Sequence, residues 1–289
     1  MHPEKQYLGL IKNIINRGIL IQSRNGNTLN LIGTMSKYSL QNNTMPILTT
    51  KKVAWKTCLK ELLWFINGDT SNETLRNQNV NIWNGNSTRE FLDSRGLYDY
   101  DVNELGPVYG YQWRNWNTPY LGKNINYRDK GVDQLSNIIT SLKHPNDKYS
   151  RRLIMSAWNV DQLDQMALPP CHVLSQFHVL DNDKLYCTLY QRSGDVGLGV
   201  PFNIASYAFL THMIADICDL KAAELTHYIG NAHIYESHVE HLRQQIEREP
   251  FTFPTLELNN KTTIDDYTVS DFKLVDYKYH PTIKMDMVS

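Results

Sequence analysis

Ser175-Gln176-Phe177-His178-Val179 and, a little further on, Leu185-Tyr186-Cys187-Thr188-Leu189-Tyr190 read as two β-strands in succession with no helix between them. In the second, Tyr186, Thr188 and Tyr190 alternate with Leu185, Cys187 and Leu189, the period-two pattern of a strand. Residues 153–158 read as a strand upstream, and residues 202–220 as a long apolar helix downstream. Strands that come in a run, not one for one with helices, favour an α+β arrangement over a doubly wound parallel sheet.

Further out, apolar residues recur at helical spacing over 6–15, with Gly18 as the stop. Asn25-Gly26 signals a turn before a strand over 28–35. Residues 55–66 form a strongly apolar helix ending near Gly68, and 72–77 a short one. Residues 85–116, rich in Gly, Asn, Asp and Tyr, read mostly as loop, and loops of that length inside a domain are usually functional. Helices are expected over 132–142 and 238–248, with short strands in the tail. No repeat, low-complexity tract or composition shift marks a linker. Residues 1–289 therefore read as a single domain with a mixed β-sheet covered by helices.

The chain has 289 residues, 41% hydrophobic and 20% charged, with a net charge of −1. That balance argues against a nucleic-acid coat or a membrane-surface protein, and no basic stripe indicates RNA binding. It leaves room for a small anionic substrate, since a local group of arginines suffices. No apolar run approaches membrane-spanning length, and residues 1–5 show no signal peptide. Cys58, Cys171, Cys187 and Cys218 have no CxxC or zinc-type spacing, so no metal is expected. Free thiols fit a reducing cytoplasmic or nuclear compartment.

Pro169-Pro170-Cys171-His172 concentrates the chemistry. Two prolines fix φ and remove two donors, holding the next residue in a rigid, non-helical position. A lone cysteine is more often a small buried hydrophobe than a nucleophile, so the residues downstream decide its reading. Gln191-Arg192-Ser193-Gly194-Asp195 comes directly after a strand, with Gly197, Gly199 and then Pro201-Phe202-Asn203 opening a helix. A guanidinium fork, a hydroxyl, glycines that admit a close ligand and a helix start together suit a phosphate. Arg151-Arg152 and Arg24 are further anion ligands, although such arginines are commonly solvated. His233 and Tyr235 lie on one face of an extended segment and suit a sugar hydroxyl, or else mark a half-buried strand edge. Glu61 sits inside an apolar helix, where a carboxylate is either paired or raised in pKa and ready to handle a proton.

These pieces resemble the thymidylate synthase family. The likeness is carried by Ala167-Leu168-Pro169-Pro170-Cys171-His172, by the run from Leu189 through Gln191-Arg192-Ser193-Gly194-Asp195 to Tyr207, and by Glu61-Leu62-Leu63-Trp64-Phe65-Ile66. Leu105-Gly106-Pro107-Val108-Tyr109-Gly110, Gly230-Asn231-Ala232-His233-Ile234-Tyr235 and His280-Pro281-Thr282-Ile283-Lys284-Met285 extend it. The resemblance implies reductive methylation of deoxyuridylate (dUMP) by 5,10-methylenetetrahydrofolate, with Cys171 attacking C6 of uracil as thiolate. Arg192 would favour that thiolate and, with Arg24 and Ser193, bind phosphate. Asn203 would read the uracil edge, His233 and Tyr235 the ribose, and Asp195 both base and pterin. Gln191 and His172 would order the surroundings of the thiol, and Glu61 and Tyr109 would move protons through water. The folate wall would be Ile82, Trp83, Asn86, Leu198, Gly199, Phe202 and Met287. The resemblance further implies a homodimer joined through the sheet, with Arg151 and Arg152 reaching the partner's site.

The chain departs from the family pattern in its phosphate loop, Ser23-Arg24-Asn25-Gly26-Asn27-Thr28, and at Asn84, where an acid is usual. It also departs in the connection Lys148-Tyr149-Ser150 before the arginine doublet and in its Val288-Ser289 ending. A deoxyuridylate hydroxymethylase would share nearly all these residues. A Cys-His hydrolase is disfavoured, because neighbours on a strand point to opposite faces.

Overall fold

A six-stranded sheet organises the computed structural model, which describes residues 2–23 and 26–287. The elements are α1 (Lys5–Arg17), β1 (Ile19–Ser23), β2 (Gly26–Ser39), α2 (Trp55–Ile66), α3 (Asn72–Arg76), α4 (Arg89–Ser94), α5 (Tyr109–Asn115) and α6 (Gln134–Lys143). Next in the chain are β3 (Ile154–Ser156), β4 (His172–Leu180), β5 (Lys184–Asp195), α7 (Gly199–Ile217), β6 (Lys221–Tyr235), α8 (Val239–Ile246), β7 (Thr255–Leu258) and β8 (Phe272–Val275). Strand order is β1-β2-β6-β5-β4-β3, antiparallel throughout except that β5 and β6 run parallel, joined by α7. This is the expected α+β fold on a mixed sheet.

The alternation in β5 has a direct structural counterpart. Leu185, Cys187 and Leu189 are buried, on the face covered by α7. Nearly every residue of α7 is buried too, which is why its sequence is apolar all round and shows no polar stripe. On the opposite face, the β5 side chains that point away from α7 are half-buried or exposed. Strand register lines up Leu174, Tyr190, Tyr228 and Met35 in one row across β4, β5, β6 and β2. Tyr190, Tyr228 and Met35 in that row are 42%, 42% and 49% exposed. Apolar and aromatic groups displayed together on a flat sheet face mark a surface that another body can cover.

Two sequence readings change. Residues 85–116 are loop over more than half their length, as read, but the stretch also holds two short helices, α4 and α5, that the reading did not place. Thr88 caps α4, its hydroxyl accepting from Phe91 N at 3.2 Å, an N-terminal signal that the surrounding Gly and Asn obscure. α5 packs on α2 so closely that a Cβ on Gly110 would fall 2.2 Å from the Phe65 carbonyl oxygen. The second change is β6. His233 and Tyr235 belong to a central strand paired on both sides, not to an edge. Its polar and small members, among them Thr226, His227, Asn231 and His233, break the apolar alternation that marks β5.

Candidate active site

The segment carrying the thiol hangs from Arg192. The Arg192 guanidinium donates from Nε to the Pro170 carbonyl at 2.9 Å and from Nη2 to the Pro169 carbonyl at 2.8 Å. Its backbone N–H donates to the Cys171 carbonyl at 2.9 Å, and its guanidinium carbon lies 5.7 Å from the centre of the Trp158 ring. From the other side, Cys171 N–H donates to the Tyr109 hydroxyl at 2.7 Å. Burial pushes the Cys171 thiol up, while the Arg192 charge and the Tyr109 hydroxyl pull it down. Burial outweighs them, so the thiol stands above its ordinary value, and the Arg192 charge is the largest influence that opposes this.

His172 points the other way, into the core. It is 7% exposed and sits 5.1 Å from the Tyr109 ring and 5.4 Å from the Tyr207 ring. Burial lowers its pKa to about 4, with a hydrogen bond to Asn203 opposing. Deeper in the cleft, Gln191 donates to the Asn203 side-chain oxygen and to the Ser193 carbonyl, both at 2.8 Å. Asn203 is in the first turns of α7, whose start at Gly199 lies ahead of the predicted one. Asp195 ends β5, and its Oδ1 accepts from Gly197 N at 2.8 Å and Leu198 N at 3.4 Å. β5–β6 register sets it beside His233, whose pKa burial lowers against the pull of Asp195. The Tyr235 ring is 5.5 Å from His233.

The glycines differ in purpose. A Cβ on Gly194 would lie 2.9 Å from Val200 Cγ2, so that residue serves strand-on-helix packing and not ligand approach. A Cβ on Gly199 would meet Asn203 Oδ1 and the Asp195 Cβ at 3.8 Å, an ordinary contact that strains nothing.

Glu61 on α2 accepts from the Trp83 indole at 2.8 Å. Burial raises its pKa from 4.5 to about 7, with the indole hydrogen bond opposing. Trp83 also lies 5.9 Å from the Tyr109 ring, so carboxyl, indole, phenol and thiol segment are linked. Ile82, Asn86, Leu198 and Phe202 are half-buried. Asn84 joins an amide network, accepting from Asn72 at 3.0 Å and donating to Asn81 at 3.1 Å.

Not every expected residue converges. Arg24 lies outside the described residues, as do Val288 and Ser289. Arg151 and Arg152 are exposed and make no ion pair among the described residues. The Arg151 carbonyl accepts from the Gln176 side chain at 2.8 Å, and Gln176 lies in the middle of β4, away from the strand end that Cys171 precedes. Met287 is 63% exposed, although its neighbour Asp286 is anchored where His238 donates to its carbonyl at 2.8 Å. A recess of about 700 Å³ lined by Lys184, His212, Asp216 and Leu220 lies at the opposite end of β5 and α7 from the thiol. No metal-holding group of His, Cys, Asp or Glu occurs among the described residues, and none of their helices is long and apolar enough to cross a membrane.

Residues 5–289 match the family model described as thymidylate synthase. The chain belongs to the thymidylate synthase family. It is 50% identical to thymidylate synthase from Ascaris suum over 98% of this chain and 96% of that one. Against human thymidylate synthase it is 50% identical over 99% and 91%. It is also 53% identical to the bifunctional dihydrofolate reductase-thymidylate synthase of Plasmodium berghei (strain Anka), over 100% of this chain and 49% of that protein. The chain thus spans about half the length of the bifunctional relatives it matches.

On this thymidylate synthase scaffold, two residues without a role in the sequence reading stand at the site. Lys51 is 5% exposed and donates from Nζ to the Gly197 carbonyl, and burial lowers its pKa to about 8 against the pull of Asp195. Trp158 lies against the Arg192 guanidinium. Lys51 is followed at once by Lys52, and nothing local in the sequence distinguishes the two.

Proposed function

We propose that the chain, acting as one catalytic domain, converts dUMP to dTMP with 5,10-methylenetetrahydrofolate and releases dihydrofolate. One observation carries the reading: Cys171 has a guanidinium beside it and no base, since its neighbour His172 is turned into an aromatic cage. A thiolate favoured by charge suits addition to an electron-poor pyrimidine carbon. The Cys171 sulfur forms a bond to C6 and the C5–C6 pair shifts toward the O4 carbonyl. The Asn203 amide faces the developing charge at O4. Arg192, Ser193 and Arg24 hold phosphate, and His233 and Tyr235 hold the ribose.

The folate fits the wall of half-buried Ile82, Asn86, Leu198 and Phe202 and buried Trp83, beside Gly199, with Asp195 and Met287 at its margin. When bound it supplies the one-carbon unit and the hydride. Glu61, poised near neutrality and held by Trp83, moves protons with Tyr109 through water. The uncovered sheet face supports a homodimer, and the distance of Arg151 and Arg152 from Cys171 supports their service in the partner's site.

The test is the product formed on mixing enzyme, dUMP and methylenetetrahydrofolate. Absorbance should report dihydrofolate in step with dTMP. Tetrahydrofolate with hydroxymethyl-dUMP would assign the hydroxymethylase reaction instead. Equal amounts of a Cys171→Ala protein and an Arg152→Ala protein, mixed, should regain activity that neither has alone; no recovery would refute sharing of the site.

A further inference from the structure

We propose that His227, on β6 behind the site, sets which pyrimidine the site accepts: its Nε2–H orients the Gln191 amide, and Gln191 orients Asn203. The inference rests on the reading of Asn203 as the group facing the base edge.

The argument is one of donors and acceptors. Gln191 Oε1 lies 2.8 Å from His227 Nε2. An amide oxygen only accepts, so this ring nitrogen carries the hydrogen. The Gln191 amide nitrogen has two hydrogens, and both are spent, on the Ser193 carbonyl and on Asn203 Oδ1. Gln191 and His227 are each 2% exposed, which leaves no water to accommodate a turned amide. Burial, helped by nearby His172, drops the His227 pKa to about 3, so the ring stays neutral and keeps one donor and one acceptor.

The consequence reaches the ligand. With Oδ1 engaged by Gln191, Asn203 cannot turn over without setting one NH2 against another. Its own NH2 therefore keeps a fixed direction. A base with oxygen at the 4-position accepts from it; a base with an amino group there presents hydrogen against hydrogen. Discrimination between uracil and cytosine thus begins two residues behind the ligand, at a histidine that touches neither.

His227→Phe keeps a ring and removes the donor, leaving Gln191 Oε1 unpaired and weakening its hold on Asn203. The ratio of kcat/KM for dUMP to that for dCMP should fall by about tenfold. His227→Gln reaches the same point with an amide N–H and should keep the ratio. His227→Asn, shorter and milder, should lower it as Phe does and stands in should the Phe protein not fold. Calorimetric Kd values for dUMP and dCMP give the same ratio without turnover. An unchanged ratio in the Phe or Asn protein overturns the proposal, as does equal loss in the Gln protein, which would mark a role for bulk alone. Failure of the wild-type protein to act on dUMP would instead sink the reading on which this rests.

Discussion

Replacing Glu61 with Gln should make the protein more stable and less active, and only above a certain pH. Gln keeps the size of the side chain and an oxygen for the Trp83 indole. What it removes is a carboxyl whose pKa is raised from 4.5 in the unfolded chain to about 7 in the fold, chiefly by burial. Between those values the folded wild type holds a proton that the unfolded chain releases, so its stability falls as pH rises through this window. Below the window both forms are protonated and the cost vanishes. Above it the cost is complete, about 3 kcal/mol. The gain from Glu61→Gln should therefore be near zero at about pH 4.5 and approach about 3 kcal/mol by about pH 8. For a chain of this length that is a Tm rise of about 5 °C. Thermal unfolding followed by circular dichroism across the range gives the gap, and dTMP formation gives the activity. A gap independent of pH would refute the buried-carboxyl argument. A Gln protein with full activity would refute the proton-transfer role.

Three further outcomes are expected. Cys171→Ala should form no dTMP while still binding dUMP by calorimetry; tritium release from C5-labelled dUMP by that protein would rule out the thiolate mechanism. Asn203→Asp should shift kcat/KM toward the cytosine nucleotide, and unchanged discrimination would count against its role at the base. Arg192→Gln should slow alkylation of Cys171 by iodoacetamide, because the charge that opposes burial is lost; an unaltered rate would show that this guanidinium does not govern the thiolate.

Much of the fold is legible where local pattern and tertiary burial agree. The alternation of Leu185, Cys187 and Leu189 marks β5, and the boundaries of α2 are readable from its apolar run and Gly68. β6 is not legible, because His227 and Asn231 break the apolar alternation that β5 keeps. α4 and α5 escape notice because each is only six or seven residues long and is set among Gly- and Asn-rich loop. At the site, Cys171 and Arg192 announce themselves as chemistry beside rigid backbone. The orientation of Asn203 cannot be read from sequence, since it depends on Gln191 and His227, 36 residues apart from each other. Nor can the contact of Lys51 with Gly197, which lies 146 residues along the chain.

The paired prolines ahead of Cys171 have given up both of their donors and kept both carbonyls. That strap can be fastened only by something that gives hydrogen, at two points, from one side. Arg192 does this with two separate nitrogens of one rigid guanidinium plane, a fork that the single nitrogen of a lysine or a glutamine does not reproduce, and an acid has no hydrogen to give. The nucleophile's scaffold therefore narrows the evolutionary choices at a residue twenty-odd positions away, and it does so before any ligand enters. Drift at Arg192 is restrained twice, once by backbone architecture and once by the charge beside the thiol, so a variant tuned for either property alone inherits the other's penalty.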